Sequence, residues 1–196
     1  MSDRTIRIGE FELAVVSGGS LRGDGGTMFG IIPRALWERS CPPDEQNRIG
    51  METNCLLVRT PDSLGLIDTG YGDKAPPKVR RRSCLEDGAP LVRSLQVAGV
   101  TPNDIDWVIL SHLHFDHAGG ATTRDSDGAL TPVFGSARHY VQQMEWEDAL
   151  SGAPELAGAY NPADFEPLQQ AGLLTLIDET LEVAPGITAR RTNGHT

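Results

Sequence analysis

The sequence predicts a mixed α/β fold. Three observations carry that reading. Short apolar runs rich in Leu, Val and Ile recur along the chain, as at Asn54 to Thr60, Leu64 to Asp68 and Trp107 to Leu110. Stretches with helical spacing of apolar residues lie between them, most clearly at 90–98. The two kinds of segment alternate without a regular βαβ rhythm, an internal repeat or a linker. A chain of 196 residues with 39 % apolar content is long enough to bury a core as one domain spanning 1–196.

Each element has its own signal. Ile6 to Val16 reads as one strand, because Phe11, Leu13 and Val15 alternate with polar neighbours. A Gly-rich segment, Gly18 to Gly30, follows as loop and matches no phosphate-binding pattern. Residues 18–50 form a flap packed on the domain surface or line a substrate cleft, with Met28, Phe29, Ile31, Ile32, Leu36 and Trp37 as their apolar content. Pro61-Asp62-Ser63 is turn chemistry between two apolar runs and predicts a hairpin. Residues 69–88 read as loop. Pro90 in a first turn and Gly99 past the end bracket a helix over 90–98. Trp107 to Leu110 is the continuous run of a strand buried on both faces. Strands at Pro132 to Phe134 and Arg138 to Gln142 come next, then helices at Glu145 to Leu150 and from Asn161-Pro162 to Gly172. Three strands close the chain: Leu173 to Ile177, Leu181 to Val183 and Ile187 to Arg191.

Composition excludes several classes. The net charge of −10 disfavours nucleic-acid binding. The local basic run Lys78-Val79-Arg80-Arg81-Arg82 reads as a solvated loop in preference to an anion-binding patch. No apolar run is long enough to span a membrane, and no secretory pattern opens the chain, so a cytoplasmic location is expected. The cysteines, Cys41, Cys55 and Cys84, are odd in number and widely spaced, which argues against a disulfide framework or a cysteine zinc site. Cys55 sits in an apolar run and is expected in the core.

The strongest signal is Ser111-His112-Leu113-His114-Phe115-Asp116-His117-Ala118-Gly119-Gly120, which holds three of the five histidines. In an extended segment, residues two apart face the same way, so His112 and His114 can present two imidazoles to one metal. Asp116 continues that parity. His117 breaks it and can face a second metal after a bend, for which Gly119 and Gly120 supply the turn. Imidazole with carboxylate suits zinc best, with iron or manganese as alternatives. Ligands leaving the C-terminal end of a buried strand sit on a rigid base with an open side. The rival metal reading, a His pair in a TIM-barrel amidohydrolase, lacks its eight strand–helix units in 196 residues. His139 is expected to be a core or surface residue rather than a ligand.

Residues 112–120, H-x-H-x-D-H-A-G-G, resemble the signature of the metallo-β-lactamase fold superfamily. Leu66-Ile67-Asp68-Thr69-Gly70 resembles the early strand of that family that ends in Asp, and residues 90–110 its helix–turn–strand lead-in. The resemblance covers 51–196, and Asp24 to Gly30 is most similar to the lactonase-like and glyoxalase-II-like branch. It implies an αββα sandwich whose second half is incomplete in this chain. It implies that His112 and His114 bind a first metal and Asp116 and His117 a second, with Asp116 also a catalytic proton carrier. Asp68 would orient the site from behind the ligands. Two Zn²⁺ per complete site would activate water to cleave an ester, lactone, thioester or phosphoester of a small-molecule substrate. A di-iron redox protein of the same fold, or an inactive fragment or interaction module, is the alternative. The resemblance further implies that Gly194-His195-Thr196 begins a G-H-T-x-G-H segment, that His195 is not its ligand, and that the remaining ligands fall beyond Thr196.

Overall fold

A computed structural model describes residues 5–156, 158 and 160–194 of the chain. Its centre is a seven-stranded sheet in the order β1-β2-β3-β4-β5-β8-β9. The strands are β1 (Thr5–Ile8), β2 (Phe11–Asp24), β3 (Arg48–Arg59), β4 (Leu64–Ile67), β5 (Trp107–Ile109), β8 (Arg138–Gln142) and β9 (Leu174–Ile177). Two hairpins stand apart: β6 (Thr122–Arg124) with β7 (Leu130–Pro132), and β10 (Thr180–Ala184) with β11 (Ile187–Arg190). The helices are α1 (Gly25–Phe29), α2 (Arg34–Trp37), α3 (Pro77–Ser83), α4 (Pro90–Val97), α5 (Phe115–Ala118), α6 (Gln143–Leu150) and α7 (Glu166–Gln170). No helix of the described residues is long and apolar enough to cross a membrane.

The sheet is antiparallel from β1 to β4 and parallel from β4 through β5 and β8 to β9. The parallel pairing brings the C-terminal ends of β4 and β5 side by side, and the Asp68 amide donates to the Ile109 carbonyl at 2.9 Å. Alternating residues feed two cores. Leu57, Leu66 and Val108 point into one with Leu91 and Leu95 of α4, Trp146 of α6 and Leu168 of α7. Val58 and Trp107 point the other way, against Ala184, Val183 and Ile187 of the β10–β11 hairpin. Helices therefore cover one face, and the β10–β11 hairpin packs against the other. The mixed α/β class expected from the sequence is the one observed.

Several local expectations are corrected. The single strand at Ile6 to Val16 is two strands, because Gly9 takes a left-handed φ of 60° and folds the chain into a hairpin. The Gly-rich loop is mostly strand: β2 continues to Asp24, with a register shift between Ser17 and Ser20. The glycines there serve contact. A Cβ on Gly18 would sit 2.8 Å from the Gly70 Cα. The loop expected over 69–88 contains α3, which Pro77 opens in its first turn. The strand expected at Pro132 to Phe134 lies earlier, and Phe134 is instead fully buried in the core. The helix expected from Asn161 to Gly172 is broken into a short 3-10 turn, Pro162–Asp164, and α7. The break falls at Phe165, which takes φ −138°, and Pro167 then stands in the first turn of α7, where its missing N–H costs nothing. The turn around Pro61, the helix after Pro90 and the strands β4, β5, β8, β9, β10 and β11 lie where the sequence puts them, to within a residue or two at their ends, whereas β3 begins at Arg48, six residues before the expected Asn54.

Candidate metal centre

The site grows from the ends of two neighbouring parallel strands. Beyond β4 the chain reaches Asp68, a non-glycine residue held at φ 59°, a conformation that Asp tolerates better than most side chains. Beyond β5 it reaches Ser111 and His112. Asp68 ties the two ends together: its Oδ1 accepts from the Ser111 amide at 2.7 Å and its Oδ2 from the Ser111 hydroxyl at 2.8 Å. The same Oδ2 lies 2.8 Å from Nδ1 of His117. A carboxylate at that distance fixes the Nδ1–H tautomer and leaves Nε2 of His117 toward the Asp116 carboxylate, 3.6 Å away.

The imidazoles of the motif gather closely. The His112 ring lies 4.6 Å from that of His114 and 4.0 Å from that of His117, centre to centre. Asp116 reaches within 3.6 Å of His117 Nε2. The structure thus brings together all five residues that the sequence singles out. It corrects how they meet. Asp116 and His117 do not continue an extended segment; they stand in α5, a single turn in which the His117 and Ala118 amides both donate to the His114 carbonyl. The turn, and not a continued strand, brings the His117 backbone onto that of His114, and the two rings each pack against His112. Gly119 and Gly120 do not act by left-handed turning either. A Cβ on Gly119 would lie 2.5 Å from the Tyr71 carbonyl oxygen, and one on Gly120 2.0 Å from that of Thr69. They are glycines because the loop after β4 passes against the motif's backbone.

Burial works against a charge on His117, but the hydrogen bond and charge of Asp68, helped by Asp116, prevail and raise its affinity for a proton above the usual imidazole value. A metal would take the place of that proton. The donor set is imidazole nitrogen and carboxylate oxygen, which fits zinc in kind. Among the described residues, no three His, Cys, Asp or Glu side chains have the spacing of a closed metal cage. The ligand types are assembled, and their donor atoms do not yet share one point.

Other residues hold the motif and gave weaker signals in the sequence. Glu145, buried at the start of α6, accepts the Leu113 amide at 2.7 Å. Lys74 donates to the carbonyls of Gly119 and Thr122 and pairs with Asp164 at 3.1 Å, both side chains almost wholly buried. A lysine after D-T-G-x-G-D is unremarkable by composition, and only the fold shows where it goes. Tyr160 forms a backbone bridge with His114, their rings 5.2 Å apart. His139 is fully buried on β8, away from the cluster, as a core histidine. Cys55 is buried and all three cysteines are free. His195 lies outside the described residues.

Three openings surround the motif. A cavity of about 600 Å³ is bounded by the end of β2, Arg48, α3, Phe115 and Tyr160. A cleft of about 250 Å³ exposes Asp68, Asp116 and His117 against β3. A third, about 310 Å³, lies between Ser111, His112, α6 and the segment after β11.

A family model described as the metallo-beta-lactamase superfamily matches residues 48–192. The chain belongs to that superfamily. Among relatives of this member of the superfamily is an N-acyl homoserine lactonase from a Bacillus species, 30 % identical over 157 residues, or 72 % of this chain and 54 % of the lactonase. A Staphylococcus aureus structure described as a probable metal-dependent hydrolase superposes with a TM-score of 0.83 at 30 % identity, over 93 % of this chain and 64 % of that one. A dizinc quorum-quenching lactonase in complex with its product, N-hexanoyl-L-homoserine, gives a TM-score of 0.67 at 27 % identity, over 93 % of this chain and 63 % of the other. The chain spans about half the length of the curated lactonases it matches.

Proposed function

We propose that the chain carries the metal-binding motif of a zinc-dependent hydrolase acting on a small-molecule ester, with lactones foremost. The observation that carries this reading is the Asp68 carboxylate 2.8 Å from Nδ1 of His117, with the His112 ring 4.0 Å from that of His117 and 4.6 Å from that of His114. His112 and His114 would hold one zinc, and Asp116 and His117 a second. Bound zinc supplies Lewis acidity toward a carbonyl oxygen and makes water a nucleophile near neutral pH.

The chain's own residues do the rest. Asp68 holds the Nδ1 proton of His117 and, through Ser111, fixes the end of β5. Asp116, partly exposed beside His117, is placed to take up and return a proton at its carboxylate. Phe115 and Tyr160 wall the large cavity next to the motif. The segment 22–48 contributes Arg22, Asp24, Met28 and Arg48 to that cavity, which favours a substrate cleft over a surface flap. The lactonase relatives support the choice of lactone.

The test is turnover by the zinc-loaded chain on N-acyl homoserine lactones, aryl esters and phosphodiesters, with His112→Ala as control. The expected result is zinc-dependent ring opening that His112→Ala abolishes. A zinc-loaded chain that opens no lactone, or an activity that His112→Ala leaves intact, overturns the assignment.

A further inference from the structure

The large cavity is built asymmetrically. At the end nearest the motif its walls are aromatic, with Phe115 between His114 and Asp116 and Tyr160 bridged to His114. At the other end stand three guanidinium groups, from Arg22, Arg48 and Arg82. They come from three separate parts of the sequence: the end of β2, the start of β3 and the last turn of α3. Two carboxylates serve this end. Asp44 takes Arg48 at 2.8 Å and reaches Arg22 at 3.4 Å. Asp24 accepts the Thr27 amide at the head of α1. Lys74, which also lines the cavity, is neutralised by Asp164. Among the described residues no ion pair engages Arg82. The cavity mouth therefore keeps a positive surplus on a chain whose net charge is −10.

The arginines are also held in place. Asp44 braces Arg48 through its Nε at 2.9 Å, and Arg48 in turn donates to the Arg82 carbonyl at 2.5 Å. This joins the start of β3 to the end of α3 and sets the Arg82 side chain on the cavity wall. Guanidinium groups gathered on a concave surface match a carboxylate in geometry and charge, and a cleft concentrates their field.

We propose that this basic end is a subsite for a carboxylate carried by the substrate at the end remote from the bond that is cleaved. This rests on the reading of the His112–His117 cluster as the reaction centre. The substrate class is then a lactone or ester whose acyl chain ends in a carboxylate, lying along Phe115 and Tyr160 with its charge against Arg22 and Arg82. The basic run on α3 is thus an anion-binding element in part: Arg80 is paired with Asp87, and Arg82 faces the cavity.

The test is binding without turnover, so that it stands apart from the hydrolase assignment. Two amides that cannot be hydrolysed like an ester serve as probes: N-methylhexanamide and its carboxylate-terminated counterpart, 5-(methylcarbamoyl)pentanoate. Binding to the full chain is measured by ligand-detected NMR without added metal. The carboxylate probe should bind at least about tenfold more tightly, as one charge-assisted hydrogen bond supplies. That preference should shrink at high salt and vanish in Arg22→Gln/Arg82→Gln, whose circular dichroism should match that of the parent chain. Equal affinity for the two probes, or a preference that survives the double substitution or is indifferent to salt, overturns the subsite. Failure of lactone turnover alone, with the preference intact, would contradict the hydrolase reading and leave the subsite standing.

Discussion

At the scale of single residues, Asp68 ties the motif to the end of β5. Its carboxylate touches Ser111 and His117 together and accepts three hydrogen bonds from them. Replacing it with Asn keeps an acceptor for the Ser111 amide but removes the charge behind His117. Asp68→Asn should weaken zinc binding about 10–100-fold with the fold retained, as read by chelator competition alongside circular dichroism. A second residue-scale prediction concerns His139. Its burial in β8 pushes the pKa from 6.5 down to about 4. The folded state then keeps this imidazole neutral while the unfolded chain protonates. The stability it contributes is whole above about pH 6.5 and is lost as the pH falls toward about 4. The gap amounts to roughly 3 kcal/mol. Urea titrations across that range should show stability falling more steeply with acid in the parent chain than in His139→Leu.

At the scale of elements, the motif is clamped by the loop after β4. Gly120→Ala would drive a methyl to 2.0 Å from the Thr69 carbonyl oxygen, and that backbone cannot yield cheaply. The expected result is a loss of at least about 2 kcal/mol in unfolding free energy. The Lys74–Asp164 pair is buried on both sides, and removing one partner strands a charge. Lys74→Met should cost about 3–5 kcal/mol, and adding Asp164→Leu should recover part of that loss, as a double-mutant cycle would show. These contacts also mark where the sequence stops being informative. The strands with alternating or continuous apolar runs, β3, β4, β5 and β8, were legible because burial dictates their composition. The local clustering of imidazole and carboxylate picked out His112, His114, Asp116 and His117, and the family resemblance picked out Asp68; the helical turn that gathers Asp116 and His117 was not legible in the two-residue spacing. The interior of β2 was not: its Gly18 and Gly19 read as loop, yet they are glycine because the loop after β4 lies against them. Helix α3 was hidden because it buries no side chain and so shows no apolar stripe.

At the scale of the whole molecule, one sheet does two jobs. Its parallel half places Asp68 and His112 at adjacent strand ends, and its long antiparallel strands β2 and β3 carry Arg22 and Arg48 out to the large cavity. The helices bury one face and the β10–β11 hairpin part of the other. That the 112–117 cluster holds metal is checked by elemental analysis of the chain after incubation with excess zinc and removal of free ion, beside His112→Ala and Asp116→Ala. The parent chain should carry stoichiometric zinc, and both variants should lose most of it. Zinc absent from the parent, or retained undiminished in the variants, would contradict the metal site.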